Sequence, residues 1–259
     1  MSDKGINWRT VLGWFCGEPL HCQPDRELLA RDREYRPVCA IGLLSLLAGL
    51  LLFIGIRSCF TELSQMKLLL LSIMPYQIFA FGGSLLALFP SVRRNGFREA
   101  YDFPSQPEDF RTMLNASLRF LLLIYPVILI LNGVSSYLCQ TLGIQPTSQV
   151  IEALGREGDL LYWMASGVSS IIIAPIAEEV LIRLVLFRCI RSISPLWAGF
   201  LSSVLFGLMH GHPQYVLSLF FLGMCLQHAR SLGGIPRAIL LHSLYNLVAF
   251  ILLFTNTTG

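Results

Sequence analysis

Long apolar runs separated by short polar stretches extend through the chain from Val38 onward. They are Val38 to Ile56, Leu68 to Phe89, Phe120 to Leu138, Leu160 to Ile176 with a helical continuation, Leu196 to Met209, Tyr215 to Gln227, and Ala238 to Phe254. Each is a candidate membrane-spanning helix. The fifth and sixth fall short of the roughly 20 residues that a perpendicular helix needs, so tilting, fusion or a re-entrant course is expected there. The pattern predicts an all-α, polytopic transmembrane bundle of about seven helices, with six to eight as the range. Residues 1–37 are polar and mixed in charge, without the short apolar core before small residues that marks a cleavable signal peptide.

Three parts follow: a cytoplasmic tail over 1–37, a transmembrane hairpin with a polar cytoplasmic loop over 38–116, and a helical core over 117–259. The loop, Pro90 to Asn115, is basic at its start and acidic in its YDFPSQPEDF portion, the mark of a solvated surface. No internal repeat is visible, whereas a transporter built from inverted halves carries weak internal symmetry.

Composition narrows the class. At 54% hydrophobic and 14% charged residues, with mean hydropathy +0.62, the chain is too apolar for a soluble domain of its size. The net charge of +3 matters only through its distribution. With the N-terminus inside, the tail cations, Arg93, Arg94, Arg98, Arg111, Arg188, Arg191, Arg230 and Arg237 all fall on the cytoplasmic side. Arg57, Lys67 and Arg156 fall outside. This asymmetry predicts a cytoplasmic N-terminus and an external C-terminus. The lipid bilayer is the expected surroundings, and no nucleic-acid partner is expected. The seven cysteines are odd in number and mostly sit in or beside apolar helices, so no disulfide framework is predicted. Cys16, His21 and Cys22 lack a third soft ligand and read as structural. The segment Ile6 to Phe15, with two tryptophans, suits either a membrane interface or a short packed tail.

The chemistry concentrates at the end. Between Leu160 and Gly259 the only carboxylates are the adjacent Glu178 and Glu179, in GVSSIIIAPIAEEVLIRLVLF. Ionisable groups inside a membrane are costly, which makes this pair a functional hypothesis by default. Glu179 and Arg183 are four apart and share a helix face, while Glu178 is rotated about 100° away toward a different partner. A second helix offers Phe206 and His210 on one face, with Gly207 permitting close approach of a neighbour. A third offers His242 and Asn246, also four apart. His212, in a turn, and His228, after a short run, read as interfacial.

A lone membrane histidine is commonly an interhelical hydrogen bond, and a Glu pair can cap a helix with Arg183 as counter-ion. Neither explains why Glu, His, His and Asn recur on three helices. A buried carboxylate with raised pKa is a usable general base, and an imidazole can orient the water it deprotonates. A second imidazole and an amide can stabilise an oxyanion. Alternatively, Glu178, His210 and His242 could hold Zn2+ with an open position, although no HExxH spacing is present. At 1.5 Å per residue Glu178 stands about 15 Å from Arg188, His242 about 9 Å from Pro236 and His210 about 22 Å from Pro195. His210 therefore meets the others only if its helix tilts or starts below the membrane surface.

At these residues the sequence resembles the CAAX protease and bacteriocin-processing (CPBP, or Abi) family of intramembrane proteases, whose type II CAAX branch cuts prenylated proteins. The family's EExxxR, FxxxH and HxxxN motifs read here as Glu178-Glu179 to Arg183, Phe206 to His210, and His242 to Asn246. Ala174-Pro175, Phe206-Gly207 and the stretch from Gly234 to Phe250 match as flanking text. The resemblance implies an endopeptidase in which Glu178 and His210 activate water, His242 and Asn246 bind the oxyanion, and Glu179 and Arg183 support the site. The substrate it implies is a membrane-associated peptide or protein, with no cofactor required. The family usually places an aromatic before the Arg and a Gly after it. Ile182 and Leu184 stand here, so packing at that point is expected to differ. Two other classes predict a polar membrane cavity: a self-immunity-type protein that sequesters a peptide uncut, and a proton-coupled transporter with Glu178 and the histidines as relay.

Overall fold

The computed structural model describes residues 35–59, 65–104, 106–144, 160–194 and 197–258. Cys16, His21, Cys22 and the Ile6 to Phe15 segment lie outside the described residues, as does the 145–159 part of the Gly143 to Asp159 loop. The described residues form an all-α bundle. Helices α1 (Tyr35–Cys59) and α2 (Gln65–Asn95) pack along each other, with the Ser45 hydroxyl donating to the Phe79 carbonyl at 2.6 Å. A short α3 (Phe97–Ala100) and the long α4 (Phe110–Thr141) follow.

The polar loop is shorter than hydropathy suggests, because α2 and α4 both run into it. Arg93 and Arg94 occupy the last turn of α2, where cations oppose the partial negative charge of the exposed carbonyls. Gly96, at φ +81°, breaks the chain between α2 and α3. Asp109 caps α4, its carboxylate accepting the Thr112 N–H at 3.3 Å. Hydropathy reports which residues tolerate lipid and is silent about helix ends, so the caps set the boundaries here.

Helix α5 is one continuous run that changes pitch: α-helical over Leu160–Val168, Ala174–Glu179 and Phe187–Ile193, π-helical over Ser169–Ile173 and Val180–Leu186. In the π segments the N–H groups of Ala174 and Phe187 reach five residues back, to the carbonyls of Ser169 and Ile182. Ile182 and Leu184 lie in the second of these, buried in the core beside Leu181 and Val185. Gly42 brings α1 against that surface, since a Cβ there would stand 3.2 Å from Val185 Cγ1.

Helix α6 (Ala198–Leu208) has 11 residues and reaches about 16 Å, half a membrane crossing. The expected fifth span is therefore a short arm. A 3₁₀ turn at Pro213–Tyr215 leads into α7 (Val216–Thr258), which is broken at Gly233 (φ −143°, ψ 21°) and Gly234 (φ 70°, ψ −171°). Contacts with α4 give its course. Ser218 meets Asn132, His228 meets Phe120 with ring centroids 5.7 Å apart, and Tyr245 then meets Tyr125 at 6.3 Å. The first arm thus runs antiparallel to α4 and the second parallel to it, so α7 is a hairpin whose two arms correspond to the sixth and seventh apolar runs.

Among the described residues, Phe110–Thr141 and Pro213–Thr255 are long and apolar enough to cross a membrane, and shorter apolar stretches lie at Ala40–Ile56 and Ala198–Leu208. Only 22% and 17% of the two apolar windows is buried inside the protein. The core helix of a soluble domain would bury most of such a surface. Here Leu122, Leu123 and Ile130 point outward instead, as side chains solvated by lipid do.

Candidate active site

Glu178 and Glu179 close the short α-helical piece of α5 between the two π segments, facing the second arm of α7 and the end of α6. Glu179 is fully buried and both its oxygens are used. Arg183 Nε–H donates to Oε2 at 3.1 Å, and His242 Nδ1 lies 3.1 Å from Oε1. A carboxylate can only accept, so Nδ1 of His242 carries a proton. That turns His242 Nε2 toward Glu178, whose Oε2 is 3.9 Å away.

His210 arrives from a different direction. It sits in the turn beyond α6, not on the helix, and its Nδ1 is 2.7 Å from the Phe206 carbonyl oxygen. The carbonyl requires a donor, which leaves the Nε2 lone pair of the neutral ring facing Glu178 Oε2 at 3.8 Å. His210 and Glu178 do meet, which the depth reckoning allowed only for a tilted helix or one that starts below the membrane surface.

Phe206 joins the groups. Its buried ring stands edge-on to His210 at 4.9 Å and to His242 at 5.5 Å, and the Arg183 guanidinium lies 5.3 Å from its centroid. Gly207 is required for this approach, since a Cβ there would stand 2.8 Å from the Val216 carbonyl oxygen. Arg183 is fully buried, and its Nη1 and Nη2 have no hydrogen-bond partner in the protein. The Glu179 pair, the nearby Glu178 carboxylate and the Phe206 ring hold its charge.

Asn246 has a partner that its spacing from His242 does not announce. Its Nδ2 donates to the Ser170 carbonyl at 2.8 Å. That carbonyl is left over by α5 itself. Its α-helical donor, Ala174 N–H, is drawn to Ser169 by the π turn, and its π-helical donor would be Pro175, which has no N–H. Nδ2 has a second hydrogen, and that one is not spent on Ser170. On the same segment the Ser169 hydroxyl donates to Gln77 Oε1 at 2.8 Å, tying α5 to α2. The sequence reading assigned no role to Ser170, Pro175 or Gln77. The signal for Pro175 was present only in part, since a proline in a helix interior strands the carbonyl four residues back, whereas the loss at Ser170, five back, depends on the π turn.

The site thus brings Glu178, Glu179, Arg183, Phe206, His210 and His242 together, with Asn246 one turn beyond His242 on α7 and bonded to the Ser170 carbonyl of α5. His212 and His228 stay apart, against Tyr215 and Phe120. Oε2 of Glu178 is buried, has no hydrogen-bond partner in the protein and faces two imidazole Nε2 atoms. Zinc ligands at about 2.0–2.2 Å in a tetrahedron stand about 3.4 Å apart, closer than these groups. Among the described residues no three His, Cys, Asp or Glu side chains are gathered so as to hold a metal ion.

The buried Glu178 carboxylate oxygen thus stands between two imidazoles inside a bundle of apolar helices. Residues 160–248, which carry every one of these groups, match the family of type II CAAX prenyl endopeptidase Rce1-like proteins. Over this part of the chain, about a third of its length, the protein is similar to CAAX-type, membrane-embedded endopeptidases. No curated protein and no solved structure matches the chain.

Proposed function

We propose that this protein hydrolyses peptide bonds of membrane-associated substrates, prenylated CAAX-type proteins among them, using water activated by Glu178 and His210. The observation that carries this reading is the buried, unpartnered Glu178 Oε2 turned toward both imidazoles. Groups 3.8–3.9 Å apart are too far for a direct hydrogen bond and suit a bridging water.

Glu178 takes one proton from that water while His210 Nε2 accepts a hydrogen bond from the other. The hydroxide adds to the scissile carbonyl carbon. The resulting oxyanion accepts hydrogen bonds from Nε2–H of His242, whose Nδ1–H is held by Glu179, and from the second Nδ2–H of Asn246. The C–N bond then breaks as the leaving amine takes the proton from Glu178, giving one carboxylic acid and one amine. Glu179 and Arg183 position His242 and touch no reacting atom. The arginine asymmetry puts the Arg188 end of α5 on the cytoplasmic side, so the site opens toward the cytoplasm, with the C-terminus external.

The test is cleavage of a membrane-anchored peptide by purified protein, together with proteomics of membrane-protein termini in cells carrying wild type or Glu178→Gln. New termini should vanish in the variant. Cleavage that persists at wild-type rate would favour peptide sequestration or proton-coupled transport instead.

A further inference from the structure

At the arginine-rich end of the bundle, away from the catalytic groups, the α7 turn docks on the loop after α3. Ile235 N–H donates to the Asp102 carbonyl at 3.1 Å, and a Cβ on Gly234 would lie only 2.3 Å from that oxygen. Beside this contact is a cavity of about 310 Å³ whose lining includes Asp102, Arg191, Gln227, Arg230 and Ser231. Arg191 lies about 20 Å along α5 from Glu178, so this is a separate place.

The cavity is strongly cationic. Arg230 and Arg191 stack on the Phe187 ring at 4.7 and 5.2 Å, and Arg188 beside them donates to the Ala100 and Glu99 carbonyls. All three are more than nine-tenths buried, and Arg230 Nε–H donates to Asp102 Oδ2 at 2.7 Å. Burial pushes the Asp102 carboxyl up, but Arg230, Arg188 and Arg191 outweigh it and hold the group below the usual carboxylate range. Gln227 precedes Arg230 and Ser231 by three and four residues on the same face of α7. It is completely buried, and neither its Nε2 nor its Oε1 has a hydrogen-bond partner. A buried carboxamide unsatisfied at both ends is a feature that native structures rarely keep without use.

We infer that this cavity binds the phosphate of an anionic phospholipid with a hydroxylated head group, drawn from the adjoining leaflet. Guanidinium forks and an amide N–H suit phosphate oxygens, and the acceptors Gln227 Oε1 and Asp102 suit the hydroxyls of the same head group. The rim supplies the apolar part, since Phe103 and Leu232 line the cavity and are 40% and 62% exposed. Basic pockets between helices at the cytoplasmic face are where anionic head groups lodge.

The test is thermal unfolding and lipid retention of the full chain in phosphatidylcholine nanodiscs with and without phosphatidylglycerol, and in detergent with soluble glycerol 3-phosphate. Phosphatidylglycerol should raise the melting temperature above that in phosphatidylcholine alone and be retained through delipidation. Gln227→Leu, which removes unsatisfied polar atoms and should fold at least as well, should weaken that effect about tenfold or more, as should Arg191→Gln. Equal stabilisation by the two lipids, an undiminished effect in Gln227→Leu, or equal potency of glycerol 3-phosphate would each overturn the inference. Peptide cleavage does not enter this readout, so either reading can fail without the other.

Discussion

The link between Asn246 and the Ser170 carbonyl makes a prediction that separates structure from catalysis. Asn246→Ala removes the donor and leaves a carbonyl at membrane depth without a partner, a loss of about 1–3 kcal/mol. For a chain of this size that lowers the melting temperature by roughly 2–4 °C per kcal/mol. Pro175→Ala should relieve the loss, because the new N–H at position 175 stands at π spacing from Ser170 and can replace the amide. In a double-mutant cycle Asn246→Ala should therefore cost about 1 kcal/mol less on the Pro175→Ala background, the net value of one hydrogen bond. Any general effect of removing a proline cancels between the two sides of the cycle.

Activity should behave differently. If the second Nδ2 hydrogen serves the oxyanion, turnover falls about 10²- to 10³-fold in both backgrounds, because a backbone N–H restores the helix but not that donor. The assays are thermal unfolding in detergent and single-turnover cleavage of a membrane-anchored peptide. Additivity of the two substitutions within about 0.3–0.5 kcal/mol would refute the link between the proline and the amide.

Arg183→Ala should destabilise by about 3–5 kcal/mol by leaving Glu179 buried without its counter-ion, seen as lost expression and a lower melting point; an unchanged protein would remove the pair from the supporting role. Glu178→Gln combined with His210→Ala should be little worse in turnover than the more damaging single change, since groups acting as one unit are non-additive. Thorough chelation should leave cleavage intact, and activity lost and then restored by Zn2+ would instead assign Glu178, His210 and His242 as metal ligands. Substituted cysteines in Pro90 to Asn115 should resist labelling from outside while those in Gly143 to Asp159 react; the reverse pattern inverts the topology.

Spacing made part of this site legible. Four-residue separations placed Glu179 with Arg183 and His242 with Asn246, because side chains four apart on a helix share a face, while Phe206 and His210 meet although His210 lies in the turn beyond α6. What spacing could not give is where those faces point once the helix departs from a 3.6-residue turn. The π segments on either side of Ala174–Glu179 change the rotation of α5 relative to its neighbours. His210 reaches Glu178 from the turn that follows α6, which the apolar run, continuing to Met209, does not announce. The contact of Asp102 with Ile235 joins a loop to a turn more than a hundred positions along the chain, and no periodicity reports such a pairing. The same contact fixes the position of the α7 turn from which the second arm departs. It therefore sets the height at which His242 meets Glu179, two turns further on. A loop on the polar surface in this way becomes part of the geometry of a site buried among the helices.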